Sequence, residues 1–461
     1  MRASQRRDKR RIICVKSPKF NELIRQQIID MSATQNEPVP HLTTALNGPL
    51  LQLERLLLDQ QAEIEGWFRR QWQLTNAPFY TSVDLRNAGF KLAPVDTNLF
   101  PAGFNNLNPA LVPLSVQAVQ AAIERICPTA NQILIVPESH TRNTFYMESI
   151  AALQDVLQKA GFEVRLGSLS EEITEAQTTE LPSGRQVTLE PLERSGKRVG
   201  IGNFSPCMIL LNNDLSSGRP EILEDVEQEI VPPLELGWSK RLKSDHFSHY
   251  RQIAKEFSEL TQIDPWLIDP LFLQCGEIDF KKREGEECLA KNVGALLTAI
   301  QLKYDEYGID KEPFVVIKAD AGTYGMGIMT ASSVEEVQSL NRKQRNKMAA
   351  SKSGSNVTQV LLQEGVYTFE TWGNEASVAE PVVYMIDHFV VGGFYRVHTR
   401  RGPNENLNAP GAHFEPLAFA EPCTTPNQSM EPDAGANRFY AYGVIARLAM
   451  LAAAREIAEH K

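Results

Sequence analysis

A lysine that closes an apolar strand and runs straight into glycines is a combination able to hold phosphate. The segment 314–328 has it: PFVVIK ends at Lys318, and ADAGTYGMGI follows, with glycines at 322, 325 and 327. Lys318 would bring a point charge to the α- and β-phosphates of a nucleotide. The backbone N–H groups of Gly322, Gly325 and Gly327 would fold over them, because no side chain blocks the approach. A second strand follows the glycines, with Ser332 and Glu335 as a capping box for the helix after it. This order excludes the Walker A loop, which ends in GK[ST] at a helix start, and the GxGxxG dinucleotide fingerprint. On this segment alone, a glycine turn beside a surface lysine is an equal alternative.

The elements around the loop sharpen the reading. Val360–Val366 (VLLQEGV) predicts a buried strand ending in a hinge for adenine at Gln363, Glu364, Gly365 and Val366, and Pro381–Arg396 predicts a hairpin turning at Asp387 and His388. The loop RRGPNENLNAPG after it carries oxygen-bearing side chains of the kind Mg²⁺ prefers. Upstream, the strands Gln132–Val136 and Met208–Leu211 end in the polar tips PESHTRN and Asn212-Asn213-Asp214, and the helix Tyr146–Ala160 follows the first. Strand, polar tip and helix are the grammar of a parallel α/β sheet, whose ligands lie beyond the carboxyl ends of its strands. Leu50–Trp72 predicts one amphipathic helix, and Asp84–Leu107, rich in Asp, Asn, Pro and Gly, a long polar loop. Ser170–Glu190 and Glu221–Glu235 read as acidic solvated surface and Asn341–Ser355 as a basic connecting loop; Lys240, Arg241 and Lys243 form a basic run that could meet phosphate but reads rather as a solvated helix face.

With 461 residues the chain exceeds what one core usually organises, so two lobes and a cleft are expected. A net charge of −10 excludes nucleic acid as the partner and favours a small molecule. The apolar stretch near the C-terminus is broken by Arg447 and Arg455, so no membrane span is expected. The six cysteines form no CxxC pair and read as reduced thiols of a cytoplasmic protein. His246 and His249 lie one turn apart without a third ligand, and neither HExxH nor GxSxG occurs, so metalloprotease and serine hydrolase chemistry have no support. Residues 1–30 read as a disordered extension, with Met31 opening a polar lead-in; nothing in the sequence fixes an oligomeric state.

The order strand-lysine-glycine loop, hinge strand, hairpin with arginine and Asn-rich loop resembles the ATP-grasp superfamily. The motifs PVDTNLFPAGFNNL, PESHTRNTFYMES, KADAGTYGMGIM and NENLNAPG resemble, more narrowly, the proteobacterial glutamate-cysteine ligase family of the Thiobacillus type, from about residue 40 onward. The resemblance implies an α/β fold, α+β in its C-terminal half. A parallel α/β substrate lobe over 31–265 would precede an ATP-grasp domain over 266–461. It implies ATP and Mg²⁺ as cofactors and glutamate and cysteine as substrates, joined through a γ-glutamyl phosphate. Lys318 resembles the superfamily's strand lysine, Lys291 (with Lys303 behind it) its upstream lysine, Glu380 its ribose-side acid and Arg396 the arginine on the transferred phosphate. Asn406 resembles the metal-site Asn, although the usual Glu-x-Asn spacing is replaced by Asn404-Glu405-Asn406 and Asn406-Leu407-Asn408, which leaves Glu405, Asn406 and Asn408 as metal candidates. For amino-acid substrates, Arg86 and Arg142 are candidates for carboxylates and Asp96 and Glu138 for ammonium groups. Asn98, Asn105, Asn106, His140 and Asn143 would complete the orientation. Another ATP-grasp peptide ligase, such as one like glutathione synthetase, a small-molecule kinase and a nucleotide-sensing protein are the competing readings.

Overall fold

Three sheets surround one cavity: two line it with alternate residues of their strands, and the third with the carboxyl ends of its strands. The structure is a computed structural model that describes residues 42–43, 49–139, 143–322, 327–349, 357–416 and 435–460, with side chains from 440 onward in the last stretch. All of them belong to one compact unit, Glu37–Lys461. The extension over 1–30, Met31, His140, Arg142 and Gly325 lie outside the described residues.

The antiparallel sheet has seven strands. It takes β1 (Leu42–Thr43), β2 (Tyr80–Asn87) and β3 (Leu92–Asn98) from the first part of the chain and β16 (Thr371–Trp372), β17 (Ser377–Ile386), β18 (Phe389–His398) and β19 (Ala412–Pro416) from the last. It therefore crosses the lobe boundary expected at 265/266. Odd-numbered residues on β2, β17 and β18, among them Val83, Leu85, Val383, Met385, Tyr395 and Val397, pack into a core with α1 (Pro49–Asp59), α2 (Gln61–Leu74), α5 (Lys243–Thr261) and α9 (Gly435–Glu459). The even-numbered residues between them face the cavity, as the two-residue period of a strand demands. Helix α9 is buried on every side over Tyr442, Ile445, Leu448 and Leu451, the mark of a helix in the middle of a large core.

The six-stranded sheet runs β11-β10-β4-β5-β7-β6 and is parallel apart from β6: β4 (Gln132–Pro137), β5 (Glu163–Ser168), β6 (Gln177–Glu180), β7 (Gln186–Pro191), β10 (Met208–Asn212) and β11 (Glu229–Val231). Helices α3 (Val112–Ile126) and α4 (Thr144–Lys159) cover it. A small hairpin, β8 (Glu193–Ser195) with β9 (Arg198–Gly200), stands beside it. The third sheet, β12-β15-β13-β14, joins β12 (Phe272–Cys275), β13 (Val315–Ala319), β14 (Ile328–Ala331) and β15 (Val360–Glu364), and packs on α6 (Glu286–Tyr307).

Several local expectations need correction. The stretch 50–72 is two helices, α1 and α2, broken at Gln60. Asp84–Leu107 is mainly the hairpin β2–β3, turning at Gly89 with φ 80°. Its polar residues misled because they face a cavity rather than solvent. The basic stretch after Asn341 contains α8 (Arg342–Ala349), and α7 (Val334–Gln338) is capped by Ser333, one residue later than expected. Cys127 and Cys207 are not free thiols but pair as a disulfide, because the chain leaving α3 and the chain entering β10 meet at one end of the parallel sheet. Arg241 and Lys243 are buried rather than solvated.

Candidate active site

The cavity has a volume of about 940 Å³, enough for a nucleotide and two small substrates. From the four-stranded sheet it receives Val316, Lys318, Ile328, Thr330 and Gln363. Lys318 lies opposite Ile328 on one side and Leu361 on the other, and Val316 opposite Thr330 and Gln363, so these residues share a face while Val315 and Ile317 pack under α6. The Lys318 ammonium donates to the Val95 carbonyl at 2.6 Å and to Gln363 Oε1 at 2.7 Å. Burial lowers its pKa to about 8, partly opposed by the charge of Asp96. Gln363 Nε2 is buried without a hydrogen-bond partner, the kind of orphan a ligand satisfies.

The seven-stranded sheet supplies Ser82, Asp84, Arg86, Glu380, Tyr384, Phe394 and Arg396. Arg396 Nη1 donates to Asp84 Oδ2 at 2.7 Å and to Glu380 Oε1 at 2.6 Å, while its Nε is buried and unpartnered. Burial pushes the Asp84 carboxyl up; Arg396 opposes the shift and Glu380 adds to it. A register shift between Asp84 and Leu85 opposes Asp96 to one and Pro94 to the other. The extra residue lets the consecutive Val95 and Asp96 both reach the cavity, which plain alternation forbids.

The parallel sheet contributes Glu138, Asn212 and Asp214 from the carboxyl ends of β4 and β10, as the strand grammar predicts. Glu138 Oε1 accepts from the Asp214 N–H at 2.8 Å, and Tyr146 Oη donates to the Asn212 carbonyl at 2.6 Å. Asn143 caps α4, Asn105 and Asn106 bond each other, and all three border the cavity. Asn98 also borders it, with Oδ1 accepting from the Phe100 N–H and from the Trp238 ring N–H.

Other expected residues are placed differently. Lys291 is exposed on α6 and lies outside the cavity lining. A buried lysine near Lys318 is instead Lys243, whose Nζ donates to the Gly322 carbonyl at 2.6 Å and lies 4.4 Å from the Trp238 ring centre. Burial lowers its pKa, against the charges of Asp96 and Asp320. Arg86 borders the cavity, with three of its five N–H groups engaged within the protein. Its Nε donates to Glu380, Nη1 to the Val366 carbonyl and Nη2 to the Glu405 carbonyl, so it ties the end of β15 to the Asn-rich loop. The Glu364 side chain turns inward to a buried pair with Lys91 at 2.7 Å, leaving its backbone for any hinge role. Gly365 is required by packing: a Cβ there would lie 2.1 Å from the Phe314 ring. Gly322 (φ 95°) borders the cavity, and Gly327 (φ 65°) is the turn residue just before the return strand β14. The sequence reading missed Asp84 and Trp238; it noted Lys243 in a basic run able to meet phosphate but preferred a solvated helix face, because the run carried no hint of burial.

Glu405, Asn406 and Asn408 all border the cavity. The Gly402 N–H and the Arg401 guanidinium hold the Glu405 carboxyl below its ordinary pKa, and Asn406 Oδ1 accepts from the Asn408 N–H at 2.9 Å. An ionised carboxylate with two amides suits a hard cation that completes its shell with water and phosphate oxygens. No cluster of three His, Cys, Asp or Glu occurs among the described residues, so any such cation depends on those other oxygens.

Among the described residues no helix is long and apolar enough to cross a membrane. No curated protein sequence matches the chain. A crystal structure from Methylobacillus flagellatus KT, bearing the name Putative gamma-glutamylcysteine synthetase, superposes with a TM-score of 0.86 at 60% identity, over 92% of this chain and 99% of that one. A glutathione synthetase-like effector from Globodera pallida aligns over 76% of this chain and 80% of its own, with 9% identity and a TM-score of 0.36, too loose a likeness to carry an argument. The GshA family model, glutamate-cysteine ligase, matches residues 54–457. With nearly the whole described chain inside that match, and the cavity residues with it, this protein belongs to the GshA glutamate-cysteine ligase family.

Proposed function

We propose that this protein joins the γ-carboxylate of glutamate to the amine of cysteine at the expense of ATP, giving γ-glutamylcysteine, ADP and phosphate. The observation that carries the reading is that Lys318 and Gln363 on one sheet open onto the same cavity as Arg396, Asp84 and Glu380 on another. A free carboxylate resists attack by an amine. Phosphorylating it creates a leaving group, and the protein's task is to position the partners and neutralise charge. Lys318 meets the nucleotide phosphates, and Arg396, on another wall of the same cavity, meets the transferred phosphoryl oxygens. Glu138 and Asp214, at the ends of the parallel strands, suit an ammonium group, with Asn105, Asn106 and Asn143 as neutral donors around it. Bound with the nucleotide, Mg²⁺ would offset phosphate charge, and Glu405, Asn406 and Asn408 are the residues we assign to hold it. A cytoplasmic setting, with ATP and free amino acids at hand, is part of this reading.

The test is phosphate release from ATP and Mg²⁺ alone, with glutamate, with glutamate plus cysteine, and with γ-glutamylcysteine plus glycine. Release that requires glutamate and cysteine together is expected. Release only with the last pair would replace the reading by a glutathione synthetase-like one, and a stable phosphorylated product without free phosphate would indicate a kinase.

A further inference from the structure

Cys275 ends β12, the edge strand of the four-stranded sheet, and Cys288 lies in the first turn of α6, which packs on that sheet. Cys275 is buried and Cys288 is exposed. Nδ2 of Asn292, one turn further along α6, is 2.9 Å from the Cys275 sulfur and 3.7 Å from the Cys288 sulfur. The two sulfurs flank one amide group; burial first pushes the Cys275 thiol up, the Asn292 bond opposes the shift and the neighbouring Cys288 adds to it. One sulfur is thus open to a reagent in solution and the other is sheltered beside it, the arrangement that favours an intramolecular second step.

We propose that Cys275 and Cys288 form a thiol–disulfide site, closed by exchange with a low-molecular-weight disulfide, and that its closure loosens the nucleotide pocket. In the first step the Cys288 thiolate attacks one sulfur of the disulfide, and a thiolate leaves. In the second the Cys275 thiol gives up its proton and attacks the Cys288 sulfur, expelling the other half of the reagent. The protein loses two hydrogens and two electrons, and the reagent becomes two thiols.

The link to the pocket runs through the next residue. Gln274 Nε2 donates to Asp320 Oδ2 at 2.9 Å, and the same carboxylate accepts from Ser244 N at 2.8 Å and Ser244 Oγ at 2.7 Å. The Asp320 carbonyl accepts from the Lys243 N–H at 2.9 Å, and Lys243 in turn holds the Gly322 carbonyl. Drawing Cys275 toward α6 pulls Gln274 from Asp320, at the root of the glycine turn.

The experiment treats the full chain with glutathione disulfide, blocks free thiols by alkylation, maps the linked peptides and measures ATP binding by equilibrium dialysis. A Cys275–Cys288 link, separable on the map from Cys127–Cys207, is expected. So is a several-fold weaker ATP affinity that dithiothreitol restores and that Cys288→Ser never develops. A mixed disulfide on Cys288 without the internal link would overturn the proposal, as would a link that leaves ATP affinity unchanged. Neither readout needs turnover, so failure of the proposed ligation would not be mistaken for failure of this site.

Discussion

At the scale of single residues, the most informative group is Lys318. Its ammonium is buried, shares two neutral acceptors and titrates near 8 because desolvation opposes its charge. Replacing it with alanine removes charge-assisted bonds to phosphate worth about 1.5–3 kcal/mol, so the KM for ATP should rise roughly 10- to 100-fold. Bound phosphate favours the protonated lysine, so above pH 8 nucleotide binding must draw a proton from solution. The ATP KM of the unaltered protein is therefore expected to climb as pH passes about 8, and Lys318→Met to flatten that climb. A pH-independent KM in both proteins would remove Lys318 from the phosphate site. The lysine and its glycines were legible in the sequence because strand, cation and glycine are adjacent along the chain. Lys243 was not, since its position beside Gly322 depends on a contact between residues 79 apart.

At the scale of elements, strand β15 shows how burial assigns a role that pattern alone leaves open. Glu364 sits in the segment expected to meet adenine, yet its carboxylate accepts from Lys91, from the Trp266 ring N–H at 3.1 Å and from the Leu271 N–H at 2.9 Å. Lys91 and Glu364 are 0% and 1% exposed. Glu364→Leu strands a buried ammonium and should cost about 3–5 kcal/mol of stability, whereas pairing it with Lys91→Met should cost much less. Thermal unfolding of the two variants checks this; equal losses would mean that the ion pair is not what holds β15 to the turn at Lys91. The hairpin β2–β3 makes the complementary point. Its Asp and Asn residues lowered strand propensity on paper, but they face an internal cavity, where polar groups are wanted.

At the scale of the whole molecule, α9 from the end of the chain is pinned to the segment before α5 by a buried fork. Arg241 Nε and Nη2 meet Glu456 Oε1 and Oε2 at 2.7 and 2.8 Å, and Arg241 Nη1 donates to the Thr97 carbonyl at 2.8 Å. Burial alone would raise the Glu456 pKa, but the charge and bonds of Arg241 hold it well below the usual glutamate range. A depressed folded-state pKa contributes stability that is present above the ordinary glutamate value and fades as pH falls below it. Glu456→Gln is expected to lower the melting temperature at neutral pH and to flatten the acid limb of the stability curve. An acid limb of unchanged slope would refute this assignment. The sequence by itself determined the two strands on either side of the glycines after Lys318, the polar ends of β4 and β10, the hairpin at Asp387 and the family resemblance. All of these rest on neighbours in the chain or on period-two patterning. Only the tertiary structure decided that Arg86 bridges Glu380, Val366 and Glu405, that Lys243 lies beside Gly322 while Lys291 is exposed, and that Cys127 meets Cys207. Each of those depends on which distant segments share a wall, and so on burial, which no local spacing encodes.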